Sequence, residues 1–84
     1  MSNIRKILIV DDDAALREAL AEQLHLHEEF AVQEADTATA ALAIAKADQI
    51  DMILMDVGLP DIDGREAVKM LRKNAFRGPI LLLT

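Results

Sequence analysis

Three apolar segments of this chain end in residues that can do chemistry. Ile7-Leu8-Ile9-Val10 runs into Asp11-Asp12-Asp13, the segment Asp51 to Asp56 (DMILMD) closes on Asp56, and Ile80 to Leu83 leads to Thr84. Crowded carboxylates repel one another, so bringing Asp11, Asp12 and Asp56 together makes sense chiefly as a way to hold a hard divalent cation. Mg²⁺ takes oxygen ligands in octahedral geometry and usually keeps several waters, so one or two carboxylates, a backbone carbonyl and a phosphate oxygen suit it. Gly58, two residues past Asp56, lets the loop turn its carbonyl toward such an ion. The cation would offset the charge of an incoming phosphoryl group and leave an Asp56 oxygen free to attack phosphorus. A hydroxyl at Thr84 can donate to a phosphoryl oxygen and so draw its own loop inward.

These residues converge only if the strands that carry them are parallel neighbours, and the patterning predicts that arrangement. Ile4 to Val10 reads as a strand. Ala14 to about His27 reads as a helix capped by Asp13, with Leu16, Leu20 and Leu24 on one face. Phe30 to Ala35 is a second, weaker strand, with Phe30 and Val32 inward. Thr37 caps an alanine-rich helix to about Ala47, with Ala41, Leu42 and Ala45 inward. Asp51 to Asp56 is a third strand, whose continuous apolar centre fits burial on both faces. Val57 to Asp63, holding Gly58 and Pro60, is a loop. Gly64 to about Ala75 is a third helix with Ala67, Val68, Leu71 and Ala75 on its inner face, and Ile80 to Leu83 starts a fourth strand after Gly78-Pro79. The order βαβαβαβ implies an α/β fold with a parallel sheet and helices on its faces. In such sheets ligands bind beyond the carboxyl ends of the strands, where connections diverge.

Composition narrows the field. With two phenylalanines and no tryptophan or tyrosine, the core must be aliphatic. A net charge of −6 makes this segment a poor partner for nucleic acid. The absence of cysteine excludes a disulfide framework or a thiolate metal site. No apolar run is long enough to cross a bilayer, and a cytoplasmic protein is expected.

The segments ILIVDDD, MILMDVGLPDIDG and PILLLT resemble the landmark segments of bacterial response-regulator receiver domains, over nearly the whole chain and with the family's spacing. The resemblance implies a flavodoxin-like sheet with strand order 2-1-3-4, the family's fifth strand being missing. It implies that Asp56 is the phosphoacceptor and Thr84 the switch hydroxyl. It also implies that Mg²⁺ is held by Asp12, Asp56 and the Gly58 carbonyl, with Asp11 acting through water. Pro60 and Gly64 match the loop proline and the helix-start glycine. The implied partner is a histidine kinase or phosphotransfer protein, and the implied role is two-component signalling that switches a downstream output such as transcription. The chain departs from the family in lacking the lysine and aromatic of the fifth strand, and Gly58 stands where larger residues are common. Residues 1–84 are therefore expected to be an incomplete receiver without its fourth helix, fifth strand and fifth helix.

Plainer readings accompany the other residues. Asp13 is a helix cap. Asp61 and Asp63 read as loop solvation, with Asp63 also a candidate cap. His25 and His27 suit a helix C-terminus. Met52, Met55 and Met70 read as core filler, and Arg65, Lys69, Arg72 and Lys73 as a solvated basic face. Two other functions compete. Asp11-x-Asp13 after a strand is similar to the nucleophile motif of haloacid-dehalogenase phosphatases, although that motif leaves Asp56 unexplained. The bare fourth strand suggests a non-phosphorylated module that forms a homodimer through its exposed edge.

Overall fold

The computed structural model describes residues 3–83, so Thr84 lies outside the described residues. Four strands, β1 (Arg5–Val10), β2 (Phe30–Ala35), β3 (Met52–Asp56) and β4 (Ile80–Leu83), alternate with three helices, α1 (Ala14–His25), α2 (Ala38–Ala47) and α3 (Gly64–Lys73). All pairings are parallel and the sheet order is β2-β1-β3-β4. That is the expected flavodoxin-like order.

The alternation of side chains along β1 decides which helix covers which face. Leu8 and Val10 point to one side, where they pack with Ile53, Met55, Ala38, Ala41, Ala67 and Leu71 beneath α2 and α3. Ile7 and Ile9 point to the other, against Ala21 of α1. Leu8, Ile9, Val10, Ile53, Met55 and Leu71 are sealed from solvent. Each contributes about 1.5–3 kcal/mol relative to exposure. β1 is thus buried on both faces, whereas β3 seals Ile53 and Met55 on one face and leaves Met52 and Leu54 half-buried on the other, short of the burial on both faces expected of it; these two strands end in the carboxylates.

Each helix starts at an acceptor side chain. Asp13 accepts from the Leu16 amide, Thr37 from the Ala40 amide and Asp63 from the Arg65 amide. These bonds satisfy amides that a helix leaves without internal partners. The capping roles expected of Asp13, Thr37 and Asp63 are all present.

Several expectations need correction. On α1 Leu20 and Leu24 pack inward as expected, beside the buried Ala21, whereas Leu16 is 48% exposed. The leucine stripe drifts around the helix, so its first member faces outward. α1 ends at His25 rather than His27, and His27 packs edge-on to Phe30. α3 ends at Lys73 because Ala75 adopts a left-handed backbone with φ 70°. The Ala75 amide donates to the Arg72 carbonyl and the Phe76 amide to the Leu71 carbonyl, which makes a Schellman stop. Ala75 is therefore an exposed cap residue and not part of the inner face. Met70 is 41% exposed, while Met55 is core. Arg72 does more than solvate a face: its guanidinium donates to the Phe76 and Gly78 carbonyls after α3.

Candidate functional site

The site is built where β1 and β3 end side by side. Val10 is paired with Met55, so the next residue of each strand, Asp11 and Asp56, leaves the sheet at the same level. β1 leads through α1 to β2 on one side, and β3 leads through α3 to β4 on the other. The connections diverge here, at the switch point of an open parallel sheet. Asp11, Asp12 and Asp56 each offer a carboxylate oxygen, and these oxygens lie within 4.8 Å of one another.

Asp11 is nearly buried, at 3% exposure. Its carboxylate accepts from the Asp13 amide at 2.9 Å, and its own amide donates to the Ala35 carbonyl. Arg17 donates to the Asp11 carbonyl at 2.8 Å while its Nε donates to Glu34 at 3.0 Å. The turn that presents Asp12 is thereby tied to both α1 and β2. Asp12 is exposed and Asp56 half-buried, so the cluster opens to solvent on one side.

Unit charges this close repel by roughly 1 kcal/mol in water and ~3 kcal/mol at an effective dielectric of 20. Nothing in apolar packing rewards that placement, whereas a divalent cation does. The donors are all hard oxygens, a set that fits Mg²⁺ and excludes soft-metal chemistry. Four hollows among the described residues are lined by residues outside the cluster. One of about 340 Å³, lined by Asp48, Ile50, Asn74, Phe76 and Gly78 among others, lies at the opposite ends of the strands. The carboxylates form an open rim suited to an ion and a small anion.

The loop after Asp56 is fixed by its own residues. Leu59 is buried in the core beneath α2 and α3. The Gly64 amide donates to the Val57 carbonyl at 2.8 Å. A Cβ on Gly64 would stand 2.6 Å from the Asp56 carbonyl oxygen and 2.8 Å from the Val57 Cα, so only glycine allows α3 to start this close to Asp56. Gly58 is exposed, and a Cβ there would come no nearer than 4.0 Å, to an Asp56 carboxylate oxygen.

Asp61 departs from its expected role as loop solvation. Its carboxylate accepts from the Ala38 amide at 3.0 Å, the Thr39 amide at 2.8 Å and the Thr39 hydroxyl at 2.6 Å. The Thr39 hydroxyl, followed by the two amides, holds this carboxyl well below the usual carboxylate range. No local pattern announces the contact, because it joins residues from separate elements. At the far end of the sheet Asp48 accepts from Lys6 and Gln33, which likewise lower its carboxyl.

The family model of the response regulator receiver domain matches residues 7–84. The chain belongs to the response-regulator receiver family. It is 40% identical over 79 residues to the transcriptional regulatory protein PmrA of Pectobacterium parmentieri, covering 94% of this chain and 35% of that protein. It is also 40% identical over 81 residues to the response regulator protein FleR of Pseudomonas aeruginosa, covering 94% of this chain and 16% of that one. The chain thus spans only about a third and a sixth of these relatives' lengths. Among solved structures, the chemotaxis response regulator CheY4 of Vibrio cholerae superposes with a TM-score of 0.86 at 32% identity, covering 94% of this chain and 67% of that one. The non-phosphorylated HemR receiver domain of Leptospira biflexa does so with a TM-score of 0.85 at 32% identity, covering 95% and 64%. These matches do not favour the phosphatase-fragment or unphosphorylated-module readings. Among the described residues no helix is long and apolar enough to cross a membrane.

Proposed function

We propose that Asp56 accepts a phosphoryl group, with Mg²⁺ held by Asp12, Asp56 and the Gly58 carbonyl and with Asp11 acting through water. The observation that carries this reading is the convergence of three carboxylates from two adjacent strand ends, in a chain of the receiver family. When bound, Mg²⁺ supplies positive charge that offsets repulsion between Asp56 and the phosphoryl oxygens. The chain's own residues do the rest. β3 and the Gly64 contact aim the Asp56 carboxylate at the open rim. One Asp56 oxygen forms a bond to phosphorus as the bond from phosphorus to the donor breaks, and the donor leaves with that electron pair. A histidine kinase or phosphotransfer protein is the donor we assign, consistent with the family. Thr84 is the switch hydroxyl in this reading, by its place after β4. The chain acts as a phosphoryl acceptor rather than as an enzyme with sustained turnover, and the downstream output belongs to the whole regulator. We assign residues 1–84 to the first four strands and three helices of the receiver domain.

Acetyl phosphate with Mg²⁺, read by intact mass, tests the reading on this chain and on the whole protein that carries it. The wild type gains one phosphoryl group and Asp56→Asn gains none. An unmodified whole protein, or modification that survives Asp56→Asn, sinks the assignment.

A further inference from the structure

Asp61, in the β3–α3 loop, hydrogen-bonds to another element, the start of α2. Its two carboxylate oxygens take three donors, all from the first two residues of α2. Those amides have no acceptor within their own helix and form its positive end, so an anionic bidentate acceptor suits them. Thr37 caps only the next free amide, that of Ala40. The start of α2 is therefore satisfied jointly by a local residue and by one from the loop that follows Asp56.

That loop is held at both ends. On one side stands Asp56, at the end of a strand that seals Ile53 and Met55 from solvent. On the other stand the Asp63 cap of α3 and the Gly64–Val57 bond. Between them, Leu59 and Ile62 pack on the core and Asp61 is bonded to α2, while Gly58 has room where a Cβ would stand. Removing the Asp61 anchor leaves the loop held in its middle by apolar packing alone, from buried Leu59 and half-buried Ile62.

We propose that Asp61 is a positioning residue for the carboxylate site: through its grip on the Ala38 and Thr39 donors it sets the path of the loop, and with it the backbone of Gly58 beside Asp56. The inference rests on the reading that this loop contributes to Mg²⁺ binding. The alternative is that Asp61 merely caps α2. The two roles separate because α2 has another cap, Thr37, whose hydroxyl accepts from the Ala40 amide of its own helix.

The experiment compares Asp61→Ala, the conservative Asp61→Asn, and Thr39→Val, which removes one donor and leaves the carboxylate. Thr37→Ala serves as a control for helix stability. Amide hydrogen exchange in the metal-free protein reads the loop at residues 57–64, and calorimetric titration with Mg²⁺ reads the site. Asp61→Ala accelerates exchange at Gly58 and Gly64 and weakens Mg²⁺ binding about tenfold, the low end for loss of a supporting contact. Asp61→Asn and Thr39→Val shift both readouts in the same direction by less. Thr37→Ala lowers thermal stability and leaves both at the wild-type values. Unchanged loop exchange in Asp61→Ala, or equal loosening in Thr37→Ala, overturns the proposal. If the loop loosens in Asp61→Ala alone while the wild type binds no Mg²⁺, the positioning stands and the metal reading fails instead.

Discussion

Replacing Gly64 with alanine sets two effects of opposite sign against each other. Alanine is the better helix former, and at the first helical position the gain is at most about 1 kcal/mol. Against it stands the contact with β3: the new Cβ would lie 2.6 Å from the Asp56 carbonyl oxygen and 2.8 Å from the Val57 Cα. Both are backbone atoms. They cannot rotate away as the tip of a side chain would, so α3 or the end of β3 must move. Overpacking of this kind costs about 1–3 kcal/mol. The steric cost wins, and a net loss of about 1–2 kcal/mol is expected from these two ranges. For a domain of this size that lowers the melting temperature by roughly 5–15 °C. Urea unfolding followed by circular dichroism, at matched m-value, measures the change. Gly58→Ala is the internal control, because a Cβ there meets nothing closer than 4.0 Å. Gly64→Ala should also slow phosphorylation by acetyl phosphate, since relief of the clash displaces the Asp56 backbone. A Gly64→Ala protein as stable as wild type would refute the reasoning, because it would show that α3 does not start in contact with the end of β3.

Ala75→Gly should act in the opposite direction, stabilising by about 0.5–1 kcal/mol in urea unfolding. The φ of 70° at Ala75 is costly for any residue with a Cβ, and the greater chain entropy of unfolded glycine cancels only part of the gain. Asp12→Asn should stabilise the metal-free protein by about 1 kcal/mol through relief of carboxylate repulsion. The same variant should lose the upward melting shift that Mg²⁺ gives the wild type. If Asp12→Asn destabilises the metal-free protein, the carboxylates are not in mutual tension. Asp61 predicts a particular acid sensitivity. Its carboxyl is depressed on folding by the Thr39 hydroxyl and the α2 amides, so its contribution is present above the unfolded value near about 3.9 and is lost as pH falls through the lower folded value. The stability gap between wild type and Asp61→Asn, measured by unfolding at a series of pH values, should therefore narrow below roughly pH 4. A gap that widens with acid would contradict the hydrogen bonding described for Asp61.

The residues that govern folding locally were legible in the chain. Alternation of apolar strands with capped helices is a short-range property, and Asp13, Thr37 and Asp63 act on amides two or three positions away. The same holds for the aspartates at the strand ends, whose types and spacing place a cluster of hard oxygen donors at one rim of the sheet. What the chain left open depends on contacts between distant segments. Leu16 matched a helical period yet faces solvent, because the orientation of α1 is set by how Ala21 meets Ile7 and Ile9. The left-handed turn at Ala75 has no glycine to signal it. The pairing of Asp61 with Ala38 and Thr39 exists only because the sheet order places α2 beside the loop after β3. The sequence by itself determined that Asp11, Asp12 and Asp56 stand at strand ends of one polarity. Only the tertiary structure, through the parallel register of β1 against β3, decided that their oxygens meet within 4.8 Å.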